Sequence, residues 1–343
     1  MSGVSTVGVD LAKNVIQIHG VDADGEAVVR RQLRRSQFLA FFEGCSACLI
    51  GIEACSGAHH WGRQLRSMGH EVRLMPPSYV KPYVKRGKTD AADAEAICEA
   101  VTRPSMRFVP IKSEAESAAL VLHRARDFPV GQVTQVGNAI RAHMAEFGIV
   151  TAKGSKRVAS LEEELESLPE AARLPLRALF DQLAETQGRI DLLTKEIEEV
   201  HRQNEVSRQL ASIPGVGVLT ATAIAATTPD VGNFSSARDY AAWLGLTPKQ
   251  HSTGGKPWSG GISKMGNRYI RRLLYLGAMA RIMVRRRSRH AGADWLSRKP
   301  GDQGDKGRCN CLGEPHGADD LRASARRNEL QTADRDDARL RTF

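Results

Sequence analysis

The chain has 343 residues, 41% of them hydrophobic and 26% charged, which suits a globular protein of two or three domains. No apolar run approaches the ~20 residues that span a bilayer, Met1-Ser-Gly-Val opens no basic-then-apolar leader, and the six cysteines are irregularly spaced, so neither a membrane protein nor a disulfide-bonded secreted one is expected and a cytoplasmic location is. Forty-nine Lys and Arg against 39 Asp and Glu leave a net charge of +10, which favours a polyanionic partner such as nucleic acid, while 5% aromatics argue against binding by base stacking.

Residues 4–33 alternate apolar and polar positions around Asp22-Ala-Asp-Gly25 and read as strand, turn, strand. A helix is expected from Ser36 to Gly44, a buried strand over Ala47–Ile52, a helix near His60–Met68 and a strand over Glu71–Met75. That alternation defines an α/β domain over residues 1–112. A basic loop from Lys81 to Lys88 leads into a helix near Asp90–Val101. Residues 113–205 read as a helical connector. In it Leu176, Leu179, Leu183, Thr186, Ile190, Leu193, Ile197 and Val200 form an a/d seam, with Leu161, Leu165 and Leu168 beginning a similar one before Pro169. The seam fits a helical hairpin within one chain and equally a coiled coil between subunits. A mostly α third domain is expected over 206–299, with a basic helix at Arg268–Arg289. Residues 300–343 lack periodicity and read as a disordered tail.

Three constellations carry chemistry. Asp10 lies in the strand Val7-Gly-Val-Asp10, Glu53 ends Ile50-Gly-Ile-Glu53, and Asp90 with Asp93 opens a helix. An i, i+3 pair shares a helix face, and an acid within an apolar strand is costly unless paired or metal-bound. Converging, the four would suit two hard divalent ions clamping a phosphodiester. Asp90 and Asp93 also fit an N-cap with an acidic first turn, and the strand acids fit hydrogen-bonded strand-end carboxylates. Second, Leu210–Ala225 reads as a helix-hairpin-helix. Pro214, Gly215 and Gly217 form its turn, and backbone N–H groups there would cradle a DNA phosphate; a Gly-capped turn between packed helices is the alternative. Third, residues 247–272 form a Gly-rich loop before a basic helix, with Ser252, Ser259 and Ser263 as candidate nucleophiles. Lys256, Lys264, Arg268, Arg271 and Arg272 are placed to hold phosphates, although no general base adjoins any of the serines and a surface loop fits as well. Cys45-x-x-Cys48 with Cys55, His59 and His60 has no second CxxC, so zinc is not expected.

Over residues 4–299 these motifs together resemble the IS110 family of transposases, IS1111 group. GVDLAK, GIEAC and KTDAADAEAI match its DEDD tetrad, HMAEFGIV at 143–150 its linker, and IPGVG with STGGKPWSGGISKMGNRYIRRLLYLGA its C-terminal domain. The resemblance implies a RuvC-like, ribonuclease H-type N-terminal domain in which Asp10, Glu53, Asp90 and Asp93 bind Mg²⁺, two ions in all. It implies a coiled-coil connector that assembles a homodimer or homotetramer. It implies a nucleophilic serine, Ser252 before Ser263, that links covalently to DNA at the element ends and target. It also implies a structured non-coding RNA from the element that pairs with target and donor DNA, so that base pairing sets sequence choice. A bacterial cytoplasmic, nucleoid-associated setting follows. The alternatives are a Mg²⁺-dependent Holliday-junction-type nuclease without a covalent adduct, and a non-enzymatic DNA-binding protein. The tail lacks the Ala-rich closing helix of the family and reads as a frameshift product after Pro300.

Overall fold

Alternating side chains with β-branched residues at the inward positions build the first strands. β1 (Thr6–Leu11), β2 (Val15–Val21) and β3 (Ala27–Arg34) form an antiparallel meander in the computed structural model, which describes residues 3–85, 89–152, 154–228, 230–256 and 258–287. The segment read as strand, turn, strand therefore holds three strands. The extra reversal falls at Ala12–Val15, where Ala12 N–H donates to the Val15 carbonyl at 3.2 Å, and no glycine marks it. The second reversal is the expected one, with Asp22 Oδ1 accepting from the Asp24 and Glu26 amides.

After α1 (Phe38–Glu43) the chain enters β4 (Leu49–Glu53), which pairs parallel to β1; α2 (Ala58–Ser67) then returns it to β5 (Glu71–Met75), parallel to β4. The sheet order is β3-β2-β1-β4-β5. One face packs Val7, Val9, Ile16, Ile18, Ile50 and Ile52 against Phe38, Phe42, Trp61 and Leu65 from α1 and α2. Each such fully buried side chain contributes roughly 1.5–3 kcal/mol. Beyond the single turn α3 (Pro77–Val80), the helix α4 (Asp90–Val101) covers the other face through Ala96, Ile97, Ala100 and Val101. This is a mixed α/β N-terminal domain with a central sheet.

Residues 1–115 and 116–343 are separate compact units. In the second, α5 (Glu114–Ala145, starting at the boundary) and α7 (Glu170–Gln203) run antiparallel. Arg126 Nε donates to Thr194 Oγ1 at 2.7 Å near one end, and Ile140 and Met144 pack with Leu176 and Phe180 near the other. Between them come α6 (Ser155–Ala159) and a 3₁₀ stretch, Ser160–Ser167, which adds Leu161 and Leu165 to the same core. Leu176, Leu183, Thr186, Ile190 and Ile197 of the seam are buried within the one chain, and Leu179, Leu193 and Val200 half-buried.

The rest is mostly helical: α8 (Glu205–Ala211), α9 (Val218–Thr227), α10 (Ala237–Trp243), a hairpin of β6 (Pro248–Gln250) and β7 (Ser259–Ile262), and α11 (Arg268–Arg287). Their core joins Leu210, Ile224, Phe234, Tyr240, Leu244 and Ile270. The tail at 300–343, the frameshift reading of it, and the last residues expected of the basic helix lie outside the described residues. Among the described residues no helix is long and apolar enough to cross a membrane.

Candidate active site

Asp10 and Glu53 reach the same end of the sheet by register. Val9 pairs with Ile52 on parallel strands, so the next residue of each, the acid, stands beside the other about 4.8 Å away along the sheet. Both point to the face opposite Val9 and Ile52, because side chains alternate. Gly8 and Gly51 share that face. A Cβ on Gly8 would lie 2.1 Å from the Ala94 carbonyl oxygen and 2.4 Å from the Cys98 amide. The missing side chain lets α4 lie directly on β1, which brings its first turn, with Asp90 and Asp93, to Asp10.

The electrostatics follow this placement. Asp10 is pushed up from 3.8 to about 6, first by burial and then by the charges of Asp90, Asp93 and Glu53. Cys55, just past Glu53, is raised by burial first and then by Glu53 and Asp10. Thr89 is the N-cap of α4, its hydroxyl accepting from the Ala92 amide at 3.2 Å. Asp90 and Asp93 follow the cap and do not serve as it. All four donors are carboxylate oxygens, which fits a hard divalent cation, although among the described residues no three acids, histidines or cysteines are closed into a metal-binding cluster. Beside the CxxC residues, the Cys48 amide donates to His70 Nδ1 at 3.3 Å, and the Lys112 amide donates to His59 Nδ1 at 3.2 Å.

The second unit carries the other candidates. Ser252 lies exposed in the loop between β6 and β7. His251 N–H donates to the Trp258 carbonyl at 2.9 Å to close that loop, and Gly254 and Gly255 turn it with positive φ. Lys256 is exposed there and Ser259 begins β7. Ser263 is half-buried in a rigid stretch: its amide donates to Thr247 O at 2.8 Å and that of Lys264, at φ 58°, to Gly245 O at 3.0 Å. In the turn Pro214–Gly217, Gly215 (φ +92°) is packed, since a Cβ on Gly277 of α11 would sit 1.9 Å from its carbonyl oxygen, while Pro214 and Gly217 are exposed.

The arginines divide. Arg271 Nη1 donates to the Leu244 carbonyl at 2.8 Å. Arg272 pairs with Asp127 and lies over the Tyr269 ring at 5.3 Å. Arg268 is exposed. Neutralising Arg268 to Gln is therefore expected to flatten the slope of log K against log salt for DNA by roughly 0.9. Arg271→Gln is expected to leave the slope unchanged and to cost about 1–3 kcal/mol of stability through the orphaned Leu244 carbonyl. Salt titration and thermal melting of the two variants check this, and equal slopes in both would contradict it.

Asp10 and Glu53 at the ends of adjacent parallel strands, with Asp90 and Asp93 in the first turn of α4, gather four acids at one end of a mixed five-stranded sheet. Residues 7–149 match a family model for the IS110 DEDD transposase domain, and residues 207–293 match one described as the transposase IS116/IS110/IS902 family. The chain is 47% identical over 296 residues to the Sinorhizobium fredii protein y4pF/y4sB, covering 84% of this chain and 76% of that one. It is 38% identical to the transposase for insertion sequence element IS1328 of Yersinia enterocolitica (87% and 90% covered). It is 37% identical to the transposase for insertion sequence element IS1111A of Coxiella burnetii (82% and 78% covered). The chain belongs to the IS110 family of transposases.

Proposed function

We propose that this transposase cuts and rejoins DNA through a phosphoserine intermediate, with Asp10, Glu53, Asp90 and Asp93 holding Mg²⁺ and Ser252 as nucleophile. The observation that supports the acid assignment is geometric: Asp10 and Glu53 follow the paired residues Val9 and Ile52 on adjacent parallel strands, and α4, with Asp90 and Asp93 in its first turn, lies directly on β1 at Gly8. When bound, the ions polarise the scissile phosphate and neutralise charge as it develops. Ser252 Oγ attacks phosphorus, the bond from phosphorus to the leaving sugar oxygen breaks, and the hydroxyl proton ends on that oxygen. The DNA–serine diester keeps the energy of the broken bond. A second strand's hydroxyl then reverses the step and rejoins DNA without ATP. The exposed position of Ser252, on a loop turned by two positive-φ glycines, supports it over the packed Ser263. The Pro214–Gly217 turn, Lys256, Lys264 and Arg268 supply backbone contacts, and an element-encoded RNA selects the site by pairing. The chain works as a homodimer or homotetramer.

The test is a denaturing gel of protein incubated with element-end DNA, its flanking transcript and Mg²⁺. Wild type and Ser263→Ala are expected to give a protein–DNA adduct, and Ser252→Ala to give none while still binding DNA. An adduct in Ser252→Ala removes that serine. Cleavage without an adduct in wild type supports a hydrolytic nuclease, and no cleavage at all supports a DNA-binding protein without activity.

A further inference from the structure

The sheet face that carries Asp10 continues past α4 to the edge of the sheet. Asp10 pairs with Gln17 on β2, and Gln17 with Gln32 on β3. Directly opposed residues of antiparallel strands share a face, so these three form one row. The rows on either side end in Arg30, opposite His19, and Arg34, opposite Val15. Arg30, Gln32 and Arg34 are exposed and Gln17 half-buried. α4 packs on β1, β2 and β4, and β3 lies beyond its cover. His19 is held below its usual range by burial first, with Glu95 raising it and Arg30 and Lys85 lowering it, in keeping with Arg30 standing opposite His19 in the register. Among the described residues neither Arg30 nor Arg34 takes part in an ion pair.

We propose that this row is a track for one DNA strand, running from the phosphate at Asp10 across Gln17 and Gln32 to the sheet edge, with Arg30 and Arg34 each taking a phosphate. The assignment rests on the proposed reading of Asp10 as part of the cleavage site. Charge complementarity selects the occupant. Four acids at one end suit a cation-bridged phosphodiester, and guanidinium groups flanking neutral amides suit the polyanion that continues from it. Two strand spacings cover about 10 Å from Asp10 to Gln32. Charged residues also guard an edge strand from pairing with another chain. Arg31, opposite Ile18 and so on the other face, would serve that purpose equally well, and it provides the control.

The experiment measures anisotropy of a fluorescein-labelled single-stranded DNA from the element end, with the full chain in chelator so that nothing is cut. The double variant Arg30→Gln/Arg34→Gln is expected to lower the slope of log K against log salt by about 1.4, and affinity about tenfold near 0.15 M salt. Gln32→Glu, nearly isosteric, is expected to weaken binding severalfold with an unchanged melting curve. Arg31→Gln is expected to stay within twofold of wild type. Unchanged binding in the double variant, or an equal loss in Arg31→Gln, overturns the track. A loss confined to RNA of the same sequence, or aggregation with intact DNA affinity, overturns it as well. If wild type forms the serine adduct while the double variant binds normally, only the track fails; if wild type neither binds DNA nor forms the adduct, the proposed function fails with it.

Discussion

Asp10→Asn is expected to slow DNA cleavage at least about a thousandfold, the rate equivalent of several kcal/mol of lost charge stabilisation, and to raise the melting temperature of the metal-free chain. The two effects have one cause. The Asp10 carboxyl sits at about 6 against an ordinary 3.8 because it is half-buried among Asp90, Asp93 and Glu53. A carboxyl with a raised folded-state pKa binds its proton more tightly folded than unfolded, so wild type is best stabilised by it below about 3.8. It loses that stability as pH rises through about 6. Above that range burial of the charge, and then repulsion by its neighbours, together cost on the order of 1–2 kcal/mol, once solvent screening of a half-buried group is discounted. Asparagine removes the charge, so in chelator at neutral pH the variant should melt roughly 5 °C higher and lose the pH dependence between 4 and 6. Calorimetry in chelator and a cleavage assay in Mg²⁺ read the two halves. A variant that melts lower than wild type in chelator would show that the Asp10 charge is not penalised by its burial among the other acids.

Much of this site was legible in the sequence because period-two alternation and helix starts are local signals. Glu71–Met75 and Asp90–Val101 emerge with the expected bounds, and the acids sit at strand ends and in a first helical turn. The third strand was not legible, since Ala12-Lys-Asn-Val15 reverses the chain without glycine or proline. The N-cap of α4 is Thr89 and not Asp90, one residue later, since either residue type fills that role and sequence alone leaves the choice open. The seam of α7 could not choose its partner, because a/d spacing is the same whether the facing helix is α5 of the same chain or another subunit. The protein partners of Arg271 and Arg272, the Leu244 carbonyl and Asp127, are distant in sequence, so charge and local spacing alone do not show them. A further local signal is the spacing of Gly8 before Asp10 and of Gly51 before Glu53, two residues in each case.

That spacing leads to the second large effect. Gly8→Ala is expected to destabilise the N-terminal unit by about 3 kcal/mol, the top of the usual range for overpacking, and to abolish cleavage although no acid is altered. The new Cβ would meet backbone, the Ala94 carbonyl at 2.1 Å and the Cys98 amide at 2.4 Å, and backbone in a helix cannot swing aside as a side chain can. α4 must lift from β1, taking Asp90 and Asp93 with it. Asp10 then loses burial and two of its three repelling neighbours, so its carboxyl should fall back toward 3.8. Gly51→Ala meets the flexible Met75 Cε at 3.1 Å but also Val101 Cβ at 2.8 Å, which is fixed to the α4 backbone, and should cost about 2 kcal/mol, in the middle of the same range. Gly277→Ala clashes with the Gly215 carbonyl at 1.9 Å, so it should destabilise the second unit while leaving the Asp10 titration where it was. Calorimetry and NMR titration of Asp10 across the three variants distinguish these outcomes. If Gly8→Ala melts within about 1 kcal/mol of wild type and cleaves at the wild-type rate, the seating of α4 on β1 does not assemble the acids.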